Sequence, residues 1–291
     1  MRDMTKGHIA MLLFSLLVSG SFSLGVMVAN DITPMALTAL RFLLAVIFVG
    51  AMAVASGGVT RRAFHAPWRY IATGGTFAFY FVMMFHGLKT AQPVSAAAVF
   101  TLIPFMSMII GAVFLAQHPN SRMVFALLLG AIGALWVIFR ADLSLLLQLQ
   151  FGRGEFLYFI GCIAHAFLPI LFKVTNRGEN AFMSSFGMLL GGTAVLLLFG
   201  ASDVWALNWS ALPARVWWVL GYLAIFASTF TFLLLQYGSM RLPGAKVMAY
   251  SYLTPTWVLF WEMGFGRGIP PLFILVGVAL SFAAVLILLK D

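Results

Sequence analysis

Stretches of about 20 mostly apolar residues follow one another along this chain, separated by short polar or helix-stopping breaks. The breaks fall at Asn30-Asp31, Gly57-Gly58, Gln92-Pro93, Pro119-Asn120, Asn176-Arg177-Gly178, Pro243-Gly244 and Pro270-Pro271. A helix rises 1.5 Å per residue, so each stretch matches the thickness of a hydrocarbon core. The pattern predicts an all-α polytopic membrane protein with ten transmembrane helices, near 8–28, 34–56, 68–89, 93–116, 122–140, 154–173, 180–201, 214–240, 242–264 and 269–289.

Ten spans divide into five and five. An odd number per half makes the second half enter from the opposite side, so the division predicts two inverted five-helix repeats, 1–147 and 148–291. In each half the third and fourth spans meet at a very short turn, 87–92 and 238–243. A shift of 151 residues brings Leu102 and Pro104 of the fourth span onto Leu253 and Pro255 of the ninth. A proline inside a helix removes a backbone hydrogen bond and bends it. A bilayer tolerates that where protein or a wet cavity satisfies the freed carbonyl. Pro104 and Pro255, with Pro169 in the sixth span, are therefore candidate helix-break or gating positions; packing is the other reading of such prolines.

Composition sharpens the picture. The 291 residues are 63% hydrophobic and 9% charged, against roughly 45–50% and about 25% in soluble domains. The net charge of +9 includes no long basic run, which argues against nucleic acid. With the N-terminus in the cytoplasm, eleven of the 17 Lys and Arg fall on that side, five on the other, and Arg41 inside a span. This bias predicts cytoplasmic N- and C-termini in a cell inner (plasma) membrane. The single Cys162 reads as an apolar filler, and the first apolar stretch is longer than a signal-peptide core, so it reads as a retained span.

Ala39-Leu40-Arg41-Phe42-Leu43-Leu44-Ala45, Gly87-Leu88-Lys89, Leu102-Ile103-Pro104 and Leu253-Thr254-Pro255 resemble segments of the drug/metabolite transporter superfamily, in its ten-span EamA-like branch. The overall pattern is most like the YddG-type amino-acid exporters. The resemblance implies an alternating-access carrier that exports solutes. The chain departs from the family where Gly-Glu often closes the fourth and ninth spans, with Ala116-Gln117 and Arg267-Gly268, and where Trp-Gly stands early in the first, with Ser19-Gly20.

Ionisable groups inside a bilayer are costly and face the protein interior. Arg41 could attract a carboxylate or hold helix-end carbonyls. Glu262 could couple protons, or act as a gate charge paired with Arg267 or Arg41. His165 sits at mid-span, as a titrating group or a satisfied interior histidine. Ser19, Tyr80, Thr101, His165, Thr229, Tyr250 and Tyr252 are the expected substrate-cavity set, with Ser228 and Gln236 nearby. One mid-depth arginine is too few for phosphate-rich solutes, and the first span lacks the acid that a lipophilic cation would want. Neutral or zwitterionic amino acids fit best, with broad specificity; multidrug or small-metabolite efflux is the alternative. An intramembrane enzyme is remote, because no span carries paired acids or HExxH. No cofactor or metal is expected, and the working unit is expected to be a monomer whose partners are its solute and the lipid bilayer.

Overall fold

The computed structural model describes residues 2–87, 89–91, 99–139, 142, 144, 147, 152–266 and 271–289. Among them there is no strand. The helices are α1 (Arg2–Val28), α2 (Pro34–Ala55), α3 (Trp68–Gly87), α4 (Ile103–Leu115), α5 (Ser121–Ile138), α6 (Arg153–Thr175), α7 (Ala181–Trp205), α8 (Ala214–Ser239), α9 (Gly244–Ala249), α10 (Thr254–Gly264) and α11 (Ile274–Leu289). Six long helices have the length and apolarity to cross a bilayer: α1, α2, α5, α6, α7 and α8. The α4 and α11 helices are shorter and equally apolar.

The starts of these helices are written locally. Thr33, Asn120 and Asn180 accept bonds from the N–H groups of Ala36, Met123 and Met183, which satisfies donors at the first turns of α2, α5 and α7. Pro34 follows Thr33 at a position where its missing N–H costs nothing. The α4 helix ends on Ala116 in the left-handed region, φ 50°. A glycine would suit that position better. Beyond it, the Gln117 side chain accepts from the Gly244 N–H at 3.2 Å and ties α4 to α9.

The prolines divide into two kinds. Pro169 lies inside an unbroken α6. Pro104 and Pro255 instead open new helices: α4 starts after a turn at 101–102, and α10 after a 3-10 segment, Tyr250–Leu253. The residue before each new helix has nearly the same backbone, φ −79°, ψ −17° at Leu102 and φ −82°, ψ −15° at Leu253. The expected bend of 242–264 is therefore a full interruption. A first-turn proline removes no hydrogen bond from the helix it begins, whereas a proline inside a continuous helix, such as Pro169, leaves a carbonyl one turn back without its usual N–H. The first part of 93–116 lies largely outside the described residues.

Small residues set the closest approaches. Gly133 of α5 and Gly277 of α11 face each other, and a Cβ on either would come within 2.7 and 2.6 Å of the other's carbonyl oxygen. Gly74 does the same for α3 against α7. Without a hydrophobic driving force between helices in lipid, such close van der Waals contact supplies much of their association.

The helix directions follow from the end contacts. Gly7 of α1 abuts Arg241 and Leu242, and Ser56 after α2 accepts from Asn180 before α7. These define a near end, which also holds the start of α3 and the end of α6. Asp31 after α1 and Arg215 at the start of α8 define the far end. The α1 helix runs near to far and α6 runs far to near.

Candidate functional site

Arg41 is the largest fully buried side chain, with no exposed surface. It reaches from α2 to α8 where that helix loosens into a π turn, Ile225–Phe230. Arg41 Nε donates to Ser228 Oγ at 2.9 Å and Nη2 to the Ala227 carbonyl at 2.8 Å. Thr229 Oγ1 donates back to the Ala224 carbonyl at 3.0 Å, within the same widened turn. A π turn leaves carbonyls poorly matched to the usual ladder, and both side chains satisfy them. The guanidinium lies 4.0 Å from the Phe81 ring centroid. Its Nη1 is buried and has no hydrogen-bond partner among the described residues.

An aromatic cluster adjoins this arginine. Phe42, Phe77, Phe81 and Phe232 pack with centroids 4.3–6.4 Å apart. Tyr80 packs on Phe81 at 4.9 Å and on His165 at 4.4 Å, and His165 on Phe100 at 6.3 Å. His165 is buried, and its Nδ1 has no hydrogen-bond partner among the described residues. The structure thus gathers Arg41, Tyr80, His165 and Thr229 around one core, with Thr101 buried in the turn after Phe100.

The other expected positions go elsewhere. Ser19 donates to the Leu16 carbonyl at 2.6 Å and accepts from Trp261 Nε1 at 3.2 Å. One turn earlier, Ser15 accepts from Trp257 Nε1 at 3.0 Å. These two bonds zip α1 to α10. Tyr250 shares a 2.8 Å hydrogen bond with His8 of α1. Tyr252 seats its ring on Gly130 of α5, in a separate apolar cluster with Leu127 and Ala249. Glu262 does not pair with Arg41, whose bonds go to α8; Arg267, the other expected partner, lies outside the described residues.

A cleft of about 590 Å³ opens at the near end. It lies between the end of α2 (Ser56), the start of α7 (Ala181, Phe182) and the last turns of α8 (Leu233, Gln236, Tyr237). Arg241 closes one side, its guanidinium 3.4 Å from the Tyr237 ring centroid. The cleft stops short of the buried core; Leu233 lies five residues from Ser228, about 7.5 Å along the helix. None of Ser19, Tyr80, Thr101, His165 or Thr229 lines it.

Among the described residues, each end carries one ion pair between segments far apart in the sequence. At the near end Arg69 Nη2 meets Glu179 Oε1 at 2.7 Å, with the side chains 3% and 8% exposed. Arg69 also donates to the carbonyls of Thr175 at 2.7 Å and His65 at 3.2 Å. Burial alone would raise the Glu179 carboxyl, but bonds from Arg69 and the Arg177 N–H outweigh it and hold the group below its usual range. At the far end Arg215 grips Asp31 through two 2.8 Å bonds, with side chains 55% and 16% exposed. The sequence pattern did not point to these pairs, to the Gln117–Gly244 bond or to the two Trp–Ser bonds.

Long apolar helices, two of the chain's helical runs opened at matched prolines, and polar contacts gathered at the two ends define an integral membrane protein. The sequence model of the EamA-like transporter family matches residues 5–139 and again residues 152–290. The chain belongs to that family, within the drug/metabolite transporter superfamily, and is a membrane transporter of small molecules built from two copies of one unit. A solved crystal structure matches it with a TM-score of 0.76 over 98% of this chain and 96% of the other, at 19% identity, which shows the shared fold. No curated protein matches.

Proposed function

We propose that this chain is an alternating-access carrier that exports amino acids, neutral or zwitterionic and of broad range, in the manner of the YddG-type exporters. In this reading ten spans form two oppositely inserted halves, 1–147 and 148–291, with both termini in the cytoplasm of an inner-membrane protein acting as a monomer. The observation that carries it is the repetition of one ion pair at opposite ends. Arg69 and Arg215 are each the second residue of α3 and α8. Glu179 and Asp31 each sit in the first inter-helix loop of the other half. One device used once on each face is what two oppositely inserted copies of one unit produce, and carriers that alternate access are built from such repeats. The matched backbone at Leu102 and Leu253, each the residue before a newly opened helix, supports hinges at equivalent depth.

The near-end cleft would be a vestibule beside the Arg69–Glu179 pair, and the aromatic core beyond it the closed middle. Its apolar wall, with Leu233, Leu234 and Phe182, favours a second reading, efflux of amphipathic compounds.

Counterflow of a panel of labelled amino acids into liposomes holding the purified chain, with and without a pH gradient, tests the proposal. Exchange of several amino acids supports it, and no exchange of any would end it. Pro255→Ala should cost under ~1 kcal/mol of stability, since a first-turn proline contributes mainly through the unfolded chain. It should slow counterflow several-fold; equal losses of rate and folded yield would make Pro255 a packing residue.

A further inference from the structure

Arg41 does more than its visible bonds explain. A guanidinium presents five N–H donors and keeps its proton in proteins. The structure gives partners to one on Nε and one on Nη2, and none to Nη1. No carboxylate lies within ion-pair reach of it among the described residues. Arginine inside a spanning helix is costly unless it is paired, and Arg41 sits about two turns in from the start of α2 with its whole side chain buried. Among the described residues that charge is met only by the Phe81 face, the Ser228 hydroxyl and the Ala227 carbonyl dipole. Holding the π turn would take only a neutral donor.

Position supplies the second argument. Arg41's anchor, Ser228, stands on the same helix as Leu233 and Gln236, which line the near-end cleft. Ser228 and Leu233 are five residues apart, about 7.5 Å of rise along α8. The stretch between them begins in the π turn, Ile225–Phe230, whose looser bonding makes it the place where α8 can shift.

We propose that Arg41 binds the carboxylate of the carried solute through Nη1, in the buried core between α2 and α8 that lies beyond the near-end cleft. This rests on the carrier reading above and names the solute class: carboxylate-bearing small molecules, with the aromatic cluster receiving the side chain. An Arg–carboxylate pair in a dry site is short, charge-assisted and directional. It accounts for a charge kept where packing alone would favour an apolar residue.

The test uses the full chain in liposomes and labelled leucine counterflow, competed by unlabelled leucine, 4-methylpentanoate, leucinamide and 3-methylbutylamine. The first two carry the carboxylate and the last two do not. Leucine and 4-methylpentanoate should compete at least tenfold better than the other two. In Arg41→Gln the ratio should fall to within twofold, and Arg41→Lys should retain part of it. An unchanged ratio with a uniformly lower rate would overturn the proposal and leave Arg41 a structural residue. So would a wild-type chain that treats leucine and leucinamide alike. Thermal shifts of the detergent-solubilised protein with the same four compounds separate the two failures. Carboxylate-specific stabilisation lost in Arg41→Gln, without counterflow, would sink the amino-acid carrier reading and keep the site. No carboxylate-specific shift together with no counterflow would sink both.

Discussion

The near and far ends are tied by the same kind of bond in different surroundings. At the near end Arg69 and Glu179 are almost wholly covered, and the arginine also caps the last turn of α6 through Thr175. At the far end Arg215 and Asp31 make a geometrically better, two-pronged contact, but largely in solvent. Geometry alone would rank the far pair higher. Burial and shared partners reverse the order, because water and salt screen the exposed pair, and removing one partner leaves its mate with little to lose. The comparison teaches that the near end is a structural joint and the far end a weak clasp.

The largest expected effect follows from breaking the joint. Arg69→Ala leaves Glu179 without its charged partner and the α6 terminus without its cap, so stability should fall by roughly 2–3 kcal/mol. Thermal unfolding in detergent, followed by tryptophan fluorescence, measures it. A loss no larger than that of Asp31→Asn would erase the distinction between the ends.

Acid should undo the same joint. The Glu179 carboxyl is held below its ordinary value of 4.5, so its contribution is complete above that value and is lost as pH falls through the lowered folded one. Melting temperature should therefore drop below pH 4.5, and the drop should shrink in Glu179→Gln. A variant with the same acid limb as the wild type would place the titrating group elsewhere.

The ends of the two interrupted spans give a smaller contrast of the same kind. After α10 the left-handed position is Gly266, φ 72°, while after α4 it is Ala116, φ 50°. The alanine bears a Cβ clash that the glycine avoids, so Ala116→Gly should stabilise by about 1 kcal/mol. No gain would mean that the bond from Gly244 to Gln117, not backbone preference, decides this turn.

The helices were readable because a bilayer admits little besides long apolar helices, and Asn30-Asp31, Asn176-Arg177-Gly178 and Pro243-Gly244 punctuate them. The family was readable from Leu102-Ile103-Pro104 and Leu253-Thr254-Pro255. Partnerships were harder, because no local rule says which loop meets which helix start. Repeat logic held a usable signal, since an arginine opens both α3 and α8 and an acid sits in both facing loops. Ser15 and Ser19, with Trp257 and Trp261, share a spacing of four that would have hinted at the α1–α10 zipper. The π turn in α8 had no signature: no residue from Ile225 to Phe230 demands it, and its stabiliser Arg41 lies 187 positions before Ser228. Arg41 itself was legible as costly, and its free Nη1 only became visible once its other donors had been placed.

The smallest effect belongs to the clasp. Asp31 titrates below its ordinary value, chiefly because Arg215 hydrogen-bonds it, so its contribution too is present above pH 3.8 and is lost below it. The pair is exposed, however, and at 1 M salt the screening length is about 3 Å, against about 30 Å at 0.01 M. Asp31→Asn should leave melting unchanged at high salt and lower it only slightly at low salt, while Arg69→Ala stays destabilised at both. Transport should respond in the opposite sense. A weak clasp on one mouth opens more readily than a joint, so Asp31→Asn should raise the rate of leucine counterflow modestly and lose that advantage as salt rises. A salt-independent stability loss in Asp31→Asn would mean that the far end is buried in the working carrier, and that both mouths are closed by joints of equal strength.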